Sequence, residues 1–131
     1  MRRVVRRNDL LYPDESYQIV GVLFDVFNEL GPGHHERYYQ RAIRESLRQR
    51  EIPFREQVHY PLRYRGATVG RQYVDFIVFD KIVLEIKKGG QFSKRHIEQV
   101  LSYPKASGYR LALLANFSRN GITSRRIVNF G

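Results

Sequence analysis

With 131 residues, 42% of them hydrophobic and 13% aromatic, the chain has enough apolar material for one folded domain and too much for a disordered one. Cysteine is absent, which excludes disulfides, thiolate zinc sites and a cysteine nucleophile. Lys and Arg number 23 against 13 Asp and Glu, and the formal charge of +10 points to a polyanionic partner. Nucleic acid is favoured over an anionic membrane surface, because no basic amphipathic helix with an exposed apolar face is visible. No apolar run approaches the roughly 20 residues that span a bilayer, and no signal peptide is seen, so a soluble, cytoplasmic protein is expected.

Residues 1–12 carry Arg2, Arg3, Arg6 and Arg7 without a sustained helical or strand period, and read as a basic arm preceding a single domain over 13–131. Pro13-Asp14-Glu15-Ser16 has the proline and the acids that suit a first helical turn. Over 17–30, Val20, Leu23, Phe24, Phe27 and Leu30 recur at helical spacing, joined by Ile19, Val22 and Val26, which predicts a helix buried on much of its circumference. Gly31-Pro32-Gly33 stops it. A second helix is predicted over 34–50, with Tyr39, Ile43 and Leu47 inward and Arg41, Arg44, Arg48 and Arg50 toward solvent. Glu36 shares a face with Tyr39 and stands in the first turn, where the helix dipole favours a carboxylate.

Residues 54–62 and 63–69 read as strands, the second turning near Gly66, and lead into a hairpin over 71–89. There, two runs rich in Val, Ile, Phe and Tyr flank Asp80-Lys81 and carry Asp75, Glu85 and Lys87. Glu85 and Lys87 share a face by the strand period of two. A loop of Phe79, Asp80 and Lys81 sets Asp75 across from Glu85; a loop of Asp80 and Lys81 alone sets it across from Ile86, with the acids on opposite faces. The strand pattern leaves both registers open. Charges buried in such surroundings need partners or an ion, although a solvated Asp75–Lys87 salt bridge is the plainer alternative.

After Gly89-Gly90, Ser93 can cap a helix to about residue 107, with Pro104 bending or shortening its end and Gln99 and Tyr103 on one face. Residues 109–117 read as an apolar strand and 122–130 as an edge strand. The order helix, helix, strands, helix, strand gives an α/β or α+β sandwich.

Taken together, Gly33-x-x-Glu36-x-x-Tyr39, Asp75, Glu85-x-Lys87 and Gln99-x-x-x-Tyr103 resemble the small prokaryotic GxxExxY proteins of the PD-(D/E)XK nuclease superfamily. So do Asn28-Glu29-Leu30-Gly31-Pro32-Gly33, His96-x-x-Gln99 and Ala115-Asn116-Phe117, and the resemblance covers residues 16–129. It implies a restriction-endonuclease-like, RecB-like α/β fold: an αβββαβ core whose central mixed β-sheet is flanked by helices, with an additional N-terminal helix. It also selects the register that sets Asp75 beside Glu85.

The resemblance implies further that Glu36, Asp75 and Glu85 bind Mg2+, with Mn2+ as a substitute. Lys87 would orient the attacking water and offset charge on phosphate, while Gln99 and Tyr103 would support the site and approach the substrate. The implied activity is metal-dependent phosphodiester hydrolysis of nucleic acid, DNA rather than RNA, by attack of metal-activated water. The alternative is a non-catalytic nucleic-acid-binding or partner-regulating module on the same fold. A homodimer or larger assembly is compatible with one site per chain. The residues suit this chemistry: a hard cation takes oxygen ligands, and no covalent nucleophile is needed. The chain departs from the family pattern at Val74, where the superfamily's nominal proline would stand. His34 and His35 do not share a helix face and read as helix-start residues, His96 reads as lying at the site's edge, and Tyr39 reads as a core aromatic.

Overall fold

The computed structural model describes residues 11–89 and 108–128. Residues 1–10 of the basic arm, and the helix predicted over 93–107 with His96, Gln99 and Tyr103, lie outside them. Two helices, α1 (Pro13–Leu30) and α2 (Glu36–Gln49), precede five strands: β1 (Phe54–Tyr64), β2 (Ala67–Val78), β3 (Ile82–Lys88), β4 (Leu111–Ser118) and β5 (Gly121–Val128). The strands form one mixed sheet in the order β1-β2-β3-β4-β5, antiparallel throughout except between β3 and β4. No helix among the described residues is long and apolar enough to cross a membrane.

Both helices lie against one face of the sheet. Ile19, Val22, Leu23 and Val26 of α1 and Tyr39, Ile43 and Leu47 of α2 pack with Phe76, Val78, Ile82, Leu84, Ile86 and alternate residues of β4. Burying each such side chain stabilises the fold by roughly 1.5–3 kcal/mol. A second cluster of Val74, Ile77, Val83, Ala112 and Leu114 gathers separately, with Val58, Tyr60, Tyr109 and Ile127 packed on it. The inward set of α2 is the one its spacing predicts. That of α1 is narrower: Phe24 is 47% and Leu30 36% exposed, because the helix meets the sheet along a single stripe. Gly31 ends α1 at a positive φ (76°) that suits a glycine, donating its N–H to the Phe27 carbonyl at 2.8 Å, and Gly33 follows at φ 93°.

The strands predicted over 54–62, 63–69 and 71 onward are in fact two. The turn falls at Arg65-Gly66, both with positive φ, so β1 runs on to Tyr64 and β2 runs unbroken from Ala67 to Val78. Gly70 stays in the ladder opposite Leu62, and the register shift between Leu62 and Arg63 leaves Val69 as the extra residue of β2.

Candidate active site

The ladder between β2 and β3 consists of Val78/Ile82, Ile77/Val83 and Phe76/Leu84. Asp75 and Glu85 are the next residues, and there the carboxylates take over from the backbone. The Asp75 N–H donates to Glu85 Oε1 at 2.6 Å, and the Ile86 N–H donates to Asp75 Oδ2 at 2.8 Å. Each acid thus stands in for a main-chain carbonyl of the neighbouring strand and holds the other strand's backbone. The hairpin loop is Phe79, Asp80 and Lys81, with φ 59° and 54° at the first two and a Lys81 N–H to Val78 carbonyl bond of 3.1 Å. Of the two registers open in the sequence, this is the one that sets Asp75 across from Glu85. Asp75 is buried, with 7% of its surface exposed, and Glu85 and Lys87 are half-buried on either side of buried Ile86.

Glu36 is the first residue of α2, and its position depends on Tyr39. The Tyr39 hydroxyl donates to the Gly31 carbonyl at 2.7 Å and accepts the His34 N–H at 3.3 Å, while its buried ring stacks on Phe117 of β4 at 4.3 Å. This ties the Gly31-Pro32-Gly33 turn to the sheet and sets the start of α2, with Glu36 one turn before, at the cavity that holds the acids. His34 Nε2 is bound to the Leu30 carbonyl at 2.8 Å, and neither His34 nor His35 lines that cavity, in keeping with helix-start residues. At the end of β3, Lys87 is the register neighbour of Asn116. Asn116 is buried and donates from Nδ2 to the Gly89 carbonyl at 2.9 Å, while the Gly89 N–H donates to the Phe117 carbonyl at 2.9 Å. The Ala115-Asn116-Phe117 segment therefore pins the exit of the strand that carries Glu85 and Lys87.

The cavity has a volume of about 360 Å³ and brings together Glu36, Asp75, Glu85 and Lys87. Burial pushes the Asp75 carboxyl up to about 6; the charge of Glu36 adds to this, and the Ile86 N–H, Lys87 and a hydrogen bond from Gln57 oppose it. Burial also pushes Glu85 up, to about 8, reinforced by the charge of Asp75 and offset by the Asp75 N–H and Lys87. At neutral pH the two acids compete for protons in a place where two negative charges are poorly tolerated.

Five further residues line the cavity that the sequence reading did not single out: Gln40, Gln57, Arg71, Gln72 and Tyr73. Gln40 follows Glu36 by four residues and shares its face, a signal that was available. Gln57 lies on β1 at the register position facing Asp75, between the pairs Glu56/Phe76 and Val58/Val74. Its left-handed backbone (φ 52°) is strained for a non-glycine residue by on the order of 1–3 kcal/mol. Only the true hairpin boundary would have revealed it. Gln72 Oε1 is buried without a hydrogen-bond partner among the described residues.

An all-oxygen set of Asp75, Glu85 and Glu36, with the orphaned Gln72 oxygen nearby, suits a hard divalent cation. Among the described residues, no group of three His, Asp or Glu side chains is drawn together tightly enough to hold an ion unaided. Gln99 and Tyr103 lie outside the described residues.

A family model described as the PD-(D/E)XK nuclease superfamily matches residues 13–127. No curated protein matches the chain. Among solved structures, the crystal structure of SSO0001 matches with a TM-score of 0.55 at 17% identity, covering 71% of this chain and 49% of that one. The chain thus spans about half the length of that protein. At this identity the likeness speaks for the fold alone, and with the family match it identifies a restriction-endonuclease-like α/β fold.

Proposed function

The chain belongs to the PD-(D/E)XK nuclease superfamily, and from that membership we propose that it is a divalent-metal-dependent nuclease that hydrolyses phosphodiester bonds in DNA. The observation that carries the reading is the pairing of Asp75 with Glu85 where the β2–β3 ladder ends, with Lys87 and Glu36 lining the same cavity. Asp75 and Glu85 would hold Mg2+, with Glu36 as the third carboxylate and Mn2+ as a substitute. Bound there, the cation supplies charge stabilisation for the phosphoryl oxygens and a more acidic water.

The chain's own residues do the rest. The Asp75 and Ile86 N–H groups and Gln57 fix the two carboxylates in place. Lys87, a compact cation on a flexible stem, orients the attacking water and neutralises charge that develops on the phosphate. Arg71, at the same cavity, takes a flanking phosphate. Gln99 and Tyr103 are assigned the supporting roles that the family pattern gives those positions.

The test is incubation of the purified protein with duplex and single-stranded DNA and RNA, with Mg2+ or Mn2+, beside Lys87→Met. Cleavage of DNA that EDTA abolishes, and that the substitution slows on the order of 10²–10³-fold, is expected. A folded parent that cuts none of these substrates, or a Lys87→Met variant as fast as the parent, would sink the reading. A second reading, a non-catalytic nucleic-acid-binding module, rests on the formal charge of +10, which attracts a polyanion without a metal. That module would bind DNA equally with and without metal and would keep its affinity in Asp75→Ala.

A further inference from the structure

β1 and β2 outrun the rest of the sheet. Pairing of β2 with β3 ends at Phe76, whereas pairing with β1 continues from Val58/Val74 to Tyr64/Ala67, forming a two-stranded ribbon tipped by Arg65-Gly66. Residues 57–74 contain no aspartate or glutamate but hold Arg63, Arg65, Arg71 and His59. None of the three arginines has an acidic partner among the described residues, whereas Arg44, Arg48, Arg50 and Arg55 each do. The ribbon also exposes large side chains: Tyr64 is 58%, Val69 60% and Tyr73 53% accessible. Cross-strand neighbours His59/Tyr73, Pro61/Arg71 and Arg63/Thr68 run along it, with the His59 and Tyr73 rings 5.5 Å apart and the Arg65 guanidinium 5.1 Å from the Tyr64 ring centre.

A hairpin with no partner is marginally stable in water, and one kept only for solubility has no use for exposed Val and Tyr or a one-signed charge. Strands about 4.8 Å apart make a ribbon that a major groove roughly 12 Å wide admits. The ribbon is also continuous with the acid cavity, which Arg71 and Tyr73 help to line.

We propose that this ribbon is the arm that grips duplex DNA, its arginines on phosphates, and that Arg71 and Tyr73 lead one strand from it to Asp75 and Glu85. The proposal rests on reading that cavity as the site of phosphodiester hydrolysis.

The test is binding of a labelled random-sequence duplex in EDTA across a salt series, comparing the parent with R63Q/R65Q and with R119Q/R125Q, which removes the same charge away from the ribbon. For R63Q/R65Q, Kd is expected to rise at least about tenfold and the slope of log K against log salt to fall by about 2. The control should move Kd by less than about threefold, with both variants melting like the parent. Equal losses in the two variants, an unchanged R63Q/R65Q, a parent that binds no duplex, or one that prefers single strands would each overturn the arm. Cleavage assays separate this from the reading beneath it. Binding lost in R63Q/R65Q with no cleavage by the parent would fail the nuclease and keep the arm. Cleavage by R63Q/R65Q at the parent's KM would fail the arm and keep the nuclease.

Discussion

Glu85→Gln is expected to abolish DNA cleavage, by on the order of 10³-fold or more, and at the same time to make the metal-free protein more stable. Glu85 sits half-buried against Asp75, and burial and that neighbour both oppose its charge. Glutamine keeps the Oε1 acceptor that holds the Asp75 N–H while removing the charge. At pH 8 in EDTA the gain should be roughly 1–3 kcal/mol, read as a rise of several degrees in melting temperature. A group retained for packing behaves in the opposite way, since its replacement lowers stability. A variant both inactive and less stable than the parent would mark Glu85 as a structural anchor.

The same two acids set an expected pH dependence. Both bind protons more tightly in the folded chain, about 6 against 3.8 for Asp75 and about 8 against 4.5 for Glu85. Their contribution is therefore fully present below about pH 4 and is lost as pH rises through those values, because the unfolded chain gives up its protons first. In EDTA, chemical denaturation should show stability falling on the order of 3 kcal/mol between pH 5 and pH 8. Glu15, held below its usual range by Lys81, contributes with the opposite sign, but below that window. Saturating Mg2+ at pH 8 should restore much of the loss, and Glu85→Gln should flatten the profile. A parent whose stability is level or rising across this range would contradict the burial of the pair.

Much of this arrangement was legible in the sequence, and the limits have physical causes. The inward face of α2 follows from Tyr39, Ile43 and Leu47 because a single amphipathic stripe has one solution. The hairpin register did not follow from its own residues: Val, Ile and Phe fill both faces of β2 and β3, so a one-residue slip leaves the pattern unchanged. Asp75 and Glu85 distinguish the registers only through their bonds to the opposite backbone. The turn near Gly66, with φ 84°, is where the sequence sets it, but the strand boundaries after residues 62 and 69 were misplaced, because β1 runs up to that turn and β2 runs on from it without a break. Gln57 was out of reach for the same reason, since its place opposite Asp75 depends on that hairpin.

The most direct test of the candidate site is calorimetric titration of Mn2+ into the parent and into Glu85→Gln, each alone and with duplex DNA. Saturable uptake by the parent, strongest with DNA and lost in Glu85→Gln, is the expected result. A cooperatively melting parent that takes up no ion in either condition, or a Glu85→Gln variant that binds as the parent does, would contradict the assignment of Asp75 and Glu85 as a cation site.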